Sequence, residues 1–343
     1  MVKLVKLHEK LNSDKSQWDL CTIGSLVMDS LYLSEHLPII GGEVRADHYA
    51  EYHGGASGNV AAYTAFTFGL HTVVLANVGQ DAAGVSLLGQ LRQFGVNTSF
   101  VVQQQSSGRI TLVTDKRGQR IFIVYLPERK PSPVREDVIG ASRAVYIAPC
   151  EPELVESAIA VAQEHRKPVF FNPGSAFYGD NELLVLPHLI RQVDVLFLNR
   201  DEAMHYSNKK LPQAVANHYL ELGVGVVVIT DAENGSMVFT QENFFHQPAY
   251  RVDVLDPLGP GDSYASGFIA AILKGRDLDF AAIQGSKMGA FVVTQYGVRE
   301  IVPSSERLQS FLANLNCHEY PHQDFRVAWP MSQSPINPSA LSN

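Results

Sequence analysis

The chain has 343 residues, of which 45% are hydrophobic and 18% are charged, and its formal net charge is −8. The apolar content is ample for a packed core, in one large α/β domain or in two smaller domains. The net negative charge does not suggest a basic surface for nucleic acid. No apolar run reaches the ~18 residues that a membrane-spanning helix needs. Three widely spaced cysteines fit a reducing compartment, so we expect a cytoplasmic protein without nucleic-acid or membrane partners.

The first elements in the chain are a short apolar strand at 20–24 and two segments with an extended pattern, 26–33 and 44–52. A run with three glycines, Gly-Gly-Ala-Ser-Gly-Asn at 54–59, then precedes a helix of small residues at 60–68. The glycines could form only a tight turn with close packing, or they could let the backbone approach a ligand.

From residue 73 onward, strands and helices alternate. The predicted strands are continuous apolar runs, which indicates burial on both faces and therefore a parallel sheet with helices on each side. The predicted strands are 73–78, 144–148, 169–172, 193–199 and 224–230, and the predicted helices are 83–94, 152–165, 183–190 and 213–222. Such sheets bind ligands at the carboxyl ends of their strands, where Asn172, Asn199 and Thr230 lie.

One segment departs from this alternation. Residues 109–114 and 119–124 are β-forming and flank Asp-Lys-Arg-Gly at 115–118, which predicts a hairpin. With the extended segments around 26–52 it could form a small separate sheet. The alternative is a surface hairpin without a functional role.

The most informative stretch is Asp-Pro-Leu-Gly-Pro-Gly-Asp at 256–262. It follows an alternating segment at 250–254, predicted as a strand, and precedes an apolar helix at 263–273. The first N–H groups of such a helix have no intrahelical partners and lie at the positive end of its dipole, so the turn predicts an anion site. Asp262 is then either an N-cap or a base that takes the proton of a group attacking a phosphate.

This strand, D-x-x-G-x-G-D turn and small-residue helix resemble the second signature of the ribokinase-like (PfkB) carbohydrate kinases. Three earlier elements, in the family's order, resemble its first signature, the continuation of that signature and its N-x-x-E element: Gly54–Ala61, Gly79–Gly84 and Asn199–Glu202. The resemblance covers about 20–302. It implies a three-layer α/β/α fold with a mostly parallel central sheet and a small β lid.

The lid would comprise about 26–52 and 100–126, would cover the sugar and would join two subunits into a homodimer. The kinase domain would span 18–314, between an N-terminal extension at 1–17 and a C-terminal tail at 315–343.

The resemblance implies ATP-dependent phosphorylation of a hydroxyl on a sugar or sugar-like substrate, with Asp262 as general base. The backbone N–H groups of Gly259, Gly261 and Asp262 would hold the charge of the transferring phosphoryl group. The implied substrate contacts are Asp29, Gly55, Asn59, Arg109 and Glu151. Some have structural alternatives: Asp29 suits a turn, Glu151 suits a helix start and Arg109 could solvate a sheet edge.

On the nucleotide side, the resemblance implies that Asn199 and Glu202 lie near the phosphates, with Glu202 ordering the water shell of Mg²⁺. Thr230 and Gly235 would face the nucleotide, and Ser286 would lie on a helix at 278–296 that forms one wall of the adenine pocket. The chain departs from the family at several positions: Ala232 replaces a glycine, Ser286 an asparagine, Pro257 a threonine and Pro260 a small residue that has an N–H. Asp256 is the candidate position for a monovalent cation such as K⁺.

Three functions remain open. The sugar kinase is favoured by Asp262, Glu202 and Asn199, and a nucleoside kinase is its main competitor. A binding or regulatory protein that transfers phosphate poorly is left open by Pro257 and Pro260, since proline offers no N–H. A formal zinc-peptidase pattern, H-E-x-x-H at 318–322, contains Pro321 and so cannot present both histidines on one helical face.

Overall fold

The computed structural model describes residues 16–117, 119–128, 132–176 and 186–313, together with residues 7, 10, 11 and 315. The H-E-x-x-H pattern and the tail after residue 315 lie outside the described residues. So do Gly118 in the hairpin turn and residues 183–185 of a predicted helix. None of the described helices is long and apolar enough to cross a membrane.

The described strands form three sheets. In chain order they are β1 (Trp18–Ile23), β2 (Val27–Ser34), β3 (Ala46–Gly54), β4 (Thr72–Leu75), β5 (Asn77–Gly79), β6 (Val102–Gln104), β7 (Gly108–Asp115), β8 (Arg120–Tyr125), β9 (Ser142–Ile147), β10 (Val169–Phe171), β11 (Val195–Asn199), β12 (Val226–Thr230), β13 (Ser236–Phe239) and β14 (Phe244–Gln247). The central sheet has the order β14-β13-β12-β11-β10-β9-β1-β4, and it is parallel from β12 to β4. Only β13 and β14 are antiparallel to their neighbours. The expected mostly parallel sheet is confirmed.

The helices cover both faces of this sheet. They are α1 (Ala56–Ala62, continued by a π-helical turn at Tyr63–Thr67), α2 (Ala82–Gln93), α3 (Glu136–Gly140), α4 (Pro152–Glu164), α5 (Leu186–Ile190), α6 (Arg200–Ser207), α7 (Pro212–Leu222), α8 (Pro260–Leu273), α9 (Leu278–Val292) and α10 (Ser305–Leu312). One core cluster joins one face of the sheet to α3–α7, and the others join the opposite face to α1, α2 and α8–α10. The chain therefore has the expected three layers.

Alternate residues of each central strand enter opposite cores. Cys21 and Ile23 of β1 pack in the first cluster, whereas Leu20 of the same strand packs against α8 and its neighbours in the second. In β9, Val145 likewise belongs to the first cluster and Tyr146 to the second. Burial on both faces explains why these strands have no polar alternation.

A second sheet, with the order β3-β2-β7-β8, is separate from the central one. Strand β2 pairs with β3 antiparallel and with β7 parallel, and β7 pairs with β8 antiparallel as the hairpin pattern predicts. A third, two-stranded sheet joins β5 to β6. The two predicted lid segments thus meet in one four-stranded sheet, and β2 carries Asp29 into it.

Three predicted elements differ in the structure. The strand predicted at 73–78 divides into β4 and β5, because the chain leaves the edge of the central sheet after Leu75 and Asn77–Gly79 pairs with β6. The strand predicted at 250–254 is wrong: residues 251–254 are irregular, and Val254 is 60% exposed. The helix predicted at 278–296 ends at Val292, because the carbonyl of Val293 accepts hydrogen bonds from the N–H groups of residues 255 and 256.

The predicted N-terminal extension also contributes to the core. Leu7 and Leu11 are buried in the second cluster. Between them, Lys10 Nζ lies 2.8 Å from Asp194 Oδ1. Leu7, Lys10 and Leu11 therefore contact the domain.

Candidate active site

The N-terminus of α8 is the centre of the site. Gly259 occupies the N-cap position with φ of +77°, and a Cβ there would lie 2.2 Å from Val298 Cγ1, so only glycine fits. Pro260 takes the first helical position, and the first intrahelical bond is donated by Ser263 N to Gly259 O. The amides of Gly261 and Asp262 therefore precede the helical bonding pattern. A Cβ at Gly261 would meet nothing within 4 Å, so open space adjoins the Cα of Gly261.

Asp262 is oriented by the Gly-rich run that precedes α1. Asn59 Nδ2 donates a hydrogen bond of 2.8 Å to Asp262 Oδ2. Gly55, the N-cap of α1, has φ of +94°, and a Cβ there would lie 2.3 Å from Ser25 O. Asn59 N in turn donates to Gly55 O. The two glycine motifs, about 200 residues apart, thus meet through one side-chain bond.

Burial dominates the electrostatics of the two acidic residues here. It raises the pKa of Asp262 to about 6, against the opposing effects of the Asn59 hydrogen bond and the Arg299 charge. It raises the pKa of Asp29 to about 7; Arg299 lowers this pKa, and the nearby charges of Asp262 and Asp256 raise it further. Asp29 Oδ1 is buried and has no hydrogen-bond partner among the described residues. A Cβ at position 54 would lie 2.1 Å from Asp29 Oδ2, so Gly54 makes room for this carboxylate.

Arg299 is a site residue that the sequence reasoning missed. Its side chain is fully buried, its Nη1 donates to Asn59 Oδ1 at 3.3 Å and its Nε donates to Gln90 Oε1 at 2.8 Å. A Cβ at Gly58 would lie 2.1 Å from Nη1, so α1 contains a glycine where the guanidinium passes. Nothing in the local sequence around Arg299 signals this position.

Asp256 anchors the loop that leads into α8. Its Oδ1 accepts from Leu258 N at 3.0 Å and its Oδ2 accepts from Gly297 N at 3.0 Å. The carboxylate therefore joins the loop before α8 to the segment after α9. Each oxygen retains a second lone pair, so these bonds are compatible with the candidate cation site.

Asn199 and Glu202 form a reciprocal capping box at the start of α6. Glu202 N donates to Asn199 Oδ1 at 2.8 Å, and Asn199 N donates to Glu202 Oε2 at 2.9 Å. This cap alone is a sufficient structural reason for the N-x-x-E spacing. Burial also raises the pKa of Glu202 to about 7, and the charge of Asp262 contributes to the shift.

The other predicted nucleotide residues lie on neighbouring elements. Thr230 pairs with Asn199 across β11 and β12, so both are at the carboxyl edge of the sheet. Gly235 has φ of +90°, and a Cβ there would lie 2.0 Å from Gln247 O. Ser286 is half-buried on α9, one turn before Gly289, and a Cβ at Gly289 would lie 3.7 Å from Pro260 O at the start of α8.

Two predicted substrate residues are not brought to Asp262 by any described contact. Glu151 takes the N-cap position of α4, where its carbonyl accepts from the N–H groups of residues 154 and 155. Arg109 lies on β7 with its side chain 45% exposed, and its Nη1 is 3.9 Å from Glu51 Oε1. Within the described part of the chain, no group of three or more His, Cys, Asp or Glu side chains is arranged to hold a metal ion.

The profile of the pfkB family carbohydrate kinases matches residues 17–305 of this chain. The chain belongs to that family. Its relatives include the nucleoside kinase of Methanothermobacter thermautotrophicus, which is 28% identical over 304 residues that cover 86% of this chain and 96% of that protein.

Two solved structures show that this kinase has the ribokinase fold. The ribokinase of Thermotoga maritima matches with a TM-score of 0.76 and 21% identity, covering 87% of this chain and 100% of that one. The ribokinase of Arabidopsis thaliana, complexed with ribose and ATP, matches with a TM-score of 0.74 and 20% identity, covering 86% and 98%. The family assignment makes this protein a carbohydrate kinase, and its relatives act on both sugars and nucleosides.

Proposed function

We propose that this kinase transfers the γ-phosphoryl group of ATP to a hydroxyl of a sugar or sugar-like substrate, with Asp262 as the general base. The observation that carries the proposal is the position of Asp262. Its carboxylate is oriented by Asn59 at the start of a helix. The amides of Gly261 and Asp262 there precede the intrahelical bonding pattern, and open space adjoins the Cα of Gly261.

Burial gives Asp262 a pKa suited to this role. With a pKa of about 6, the carboxylate is mostly ionised at neutral pH and is a stronger base than an exposed aspartate. As the substrate hydroxyl attacks, Asp262 takes its proton, and the backbone N–H groups of Gly259, Gly261 and Asp262 hold the charge of the phosphoryl group. Pro260 supplies no N–H to this set, so the set has one donor fewer than a non-proline residue would allow.

The substrate side offers acceptors for hydroxyl groups. The buried Oδ1 of Asp29 has no hydrogen-bond partner in the described part of the chain, and a substrate O–H that donates to it would remove the cost of burying it. Gly54, whose Cα faces this carboxylate, is followed by Gly55 and, at the start of α1, by Asn59. Glu151 and Arg109 remain outer candidates. The lid sheet that carries Asp29 would exclude water during transfer.

The nucleotide is assigned to the side of Asn199, Glu202, Thr230, Gly235 and Ser286, and the ATP complex of the Arabidopsis ribokinase supports this cofactor. Bound Mg²⁺ would neutralise charge on the ATP phosphates. Glu202 is suited to accept from its water shell, because the capping bond uses only one carboxylate oxygen. Asp256 is assigned to a monovalent cation such as K⁺, because its carboxylate oxygens retain free lone pairs. Measuring whether activity depends on K⁺ would test this assignment.

A nucleoside is the second candidate substrate. The observation that favours it is the nucleoside kinase relative, whose 28% identity exceeds that of both ribokinase structures. Both candidate substrates would present a hydroxyl group to Asp262, so the base and the anion site serve either one.

The deciding experiment is coupled measurement of ADP release against pentoses, hexoses, ketodeoxy acids and nucleosides, with Asp262→Asn alongside. We expect turnover with one class and a loss of about 10²–10⁴-fold in the variant. Asp253→Asn, an exposed residue on the same loop, is the matched control and should keep full activity. Undiminished turnover in Asp262→Asn, or no turnover with any compound, would contradict the proposal.

A homodimer through the lid belongs to the same proposal. Strand β8 is at one edge of the lid sheet, and its apolar side chains are exposed, with Ile123 at 61% and Val124 at 55%. An exposed apolar edge strand is suited to pair with a second copy. Light scattering after size exclusion should give a dimer for the protein and a monomer for Val124→Lys, while Val85→Lys, on an exposed site of α2, should leave the mass unchanged.

A further inference from the structure

A hydrogen-bonded chain reaches Asp262 from α2. Gln90 Oε1 accepts from Arg299 Nε at 2.8 Å, Arg299 Nη1 donates to Asn59 Oδ1 at 3.3 Å, and Asn59 Nδ2 donates to Asp262 Oδ2 at 2.8 Å. Gln90 Nε2 also donates to the backbone carbonyl of Arg299 at 3.2 Å, so Gln90 holds this residue at two points. These four residues lie on four separate parts of the chain, namely α1, α2, α8 and the segment after α9.

The direction of each bond in this chain is determined by chemistry. A guanidinium can only donate, so the Asn59 amide must turn its Oδ1 toward Arg299. Its Nδ2 then faces Asp262, and an amide N–H can only donate, so Asp262 must present an acceptor oxygen. Without Arg299, the amide could rotate and offer Oδ1 to Asp262, which would favour the protonated carboxyl.

Stability does not account for Arg299. Its guanidinium is fully buried, and its Nη2 has no hydrogen-bond partner among the described residues. Burying a cation that is incompletely hydrogen-bonded is costly, and burial accordingly lowers the pKa of Arg299 to about 10. The position of Gly58, where a Cβ would collide with Nη1, shows that α1 is shaped around this side chain.

We propose that Arg299 is a positioning residue, which fixes the orientation of the Asn59 amide so that Asn59 donates to Asp262 and keeps its carboxylate ready to accept a proton. This inference rests on the proposed role of Asp262. It adds a residue outside both glycine motifs that determines how the Asp262 carboxylate is hydrogen-bonded.

The other titratable groups near Asp262 cannot substitute for Arg299 in favouring its ionised form. Asp29 on β2 and Glu202 on α6 are acidic and disfavour its ionised form. Tyr63, after α1, and Tyr146, on β9, are buried phenols whose pKa values are raised by burial, so both stay neutral near pH 7. Among these groups Arg299 supplies the only positive charge, and Asn59 supplies the only described side-chain donor to Asp262.

The test is the pKa of Asp262 itself, read by NMR of protein labelled with ¹³C at the aspartate carboxyl and assigned with Asp262→Asn. We expect Arg299→Met to raise this pKa by about one unit from its value near 6, and to move the acid limb of the kcat profile by the same amount. Gly58→Ala keeps every charge but displaces the guanidinium, and it should produce a shift in the same direction.

Arg143→Met is the matched control. It removes a part-buried arginine that pairs with Asp19 away from the site, so it should lower stability without moving the Asp262 pKa. The inference would be overturned if the pKa of Asp262 were unchanged in Arg299→Met and activity fell only because the variant is less stable. Full turnover in Asp262→Asn would instead contradict the base assignment, while the NMR titration would still decide whether Arg299 orients Asn59.

Discussion

Ala232 occupies a backbone conformation that suits glycine. Its φ is +43°, at the turn where the resemblance anticipates a glycine, and the turn is closed by a hydrogen bond from Gly235 N to Ala232 O. The left-handed conformation costs an alanine roughly 1–2 kcal/mol, because its Cβ approaches the following carbonyl oxygen. The departure seen in the sequence is therefore a point of strain.

Replacing this alanine should stabilise the protein. We expect Ala232→Gly to raise the free energy of unfolding by up to about 1 kcal/mol, because the relieved strain exceeds the extra unfolded-state entropy of glycine. Urea titration measures the change. Ala214→Gly in α7, where the backbone is helical, should instead lower stability by about 0.5–1 kcal/mol. The same sign for both variants would refute this interpretation of the φ angle.

Pro260 is the second departure with a measurable consequence. Proline is well accommodated at the first position of α8, so it does not destabilise the helix. Its expected effect is on the rate of phosphoryl transfer, because residue 260 has no N–H to donate. We expect Pro260→Ala to raise kcat, by up to about 10²-fold if the restored N–H reaches the transferring phosphoryl group. Steady-state kinetics at saturating ATP measures it, with Pro257→Ala on the same loop as control. A kcat that does not rise would show that the amides of Gly261 and Asp262 are sufficient.

At the scale of elements, the start of α6 combines a structural role with a chemical one. The capping box accounts for both Asn199 and Glu202 without any metal. Burial leaves the ionised Glu202 carboxylate poorly solvated in the free protein and raises its pKa to about 7. A nearby cation would correct this, because it favours the charged form.

A single substitution separates the two roles. Glutamine can also close a capping box, so Glu202→Gln should keep α6 folded, whereas the Mg²⁺ concentration for half-maximal activity should rise about 10-fold or more. Asn199→Ala, which removes the cap, should cost about 1 kcal/mol of stability. Activity measured across a Mg²⁺ series, with urea titration beside it, distinguishes these effects. An unchanged Mg²⁺ requirement in Glu202→Gln would leave Glu202 with the capping role alone.

Helix α2 shows why sequence motifs did not reveal the whole site. Its Gln90 binds Arg299, and its Ser86, one turn earlier, lies 2.8 Å from His53 Nε2, whose Nδ1 is paired with Glu300. Helix α2 thus contacts Arg299 directly and Glu300 through His53. The Gln90–Arg299 and His53–Glu300 contacts join residues more than 200 positions apart, and no local pattern encodes them.

At the scale of the molecule, the sequence was informative where local pattern and burial agree. Continuous apolar runs predicted the parallel sheet, and the alternation at 109–124 predicted the hairpin that carries Arg109. A similar alternating pattern at 250–254 predicted a strand wrongly, because no neighbouring strand pairs with 251–254 and Val254 is exposed. Asp262 and Asn59 could be anticipated from their motifs. Arg299 could not, because its role arises only when its segment packs between α1 and α2.

The burial of several carboxyl groups also has a consequence for the whole molecule. Burial raises the pKa of Asp262 to about 6 and those of Asp29 and Glu202 to about 7, above their unfolded values. The folded state therefore holds these protons more tightly than the unfolded state does. This stabilisation is fully present below about pH 4 and is lost as the pH rises through 6 to 7.

The ligand-free protein should therefore become less stable between pH 5 and pH 8. Each extra proton held by the folded state contributes a slope of up to about 1.4 kcal/mol per pH unit, so the fall in the free energy of unfolding should be readily measured in urea. The variant Asp29→Asn/Glu202→Gln should have a flatter profile. His218, whose pKa burial lowers, acts in the opposite direction but is common to both proteins, so their difference isolates the carboxyls. Equal slopes would mean that these side chains are better solvated in solution than their burial in the fold implies.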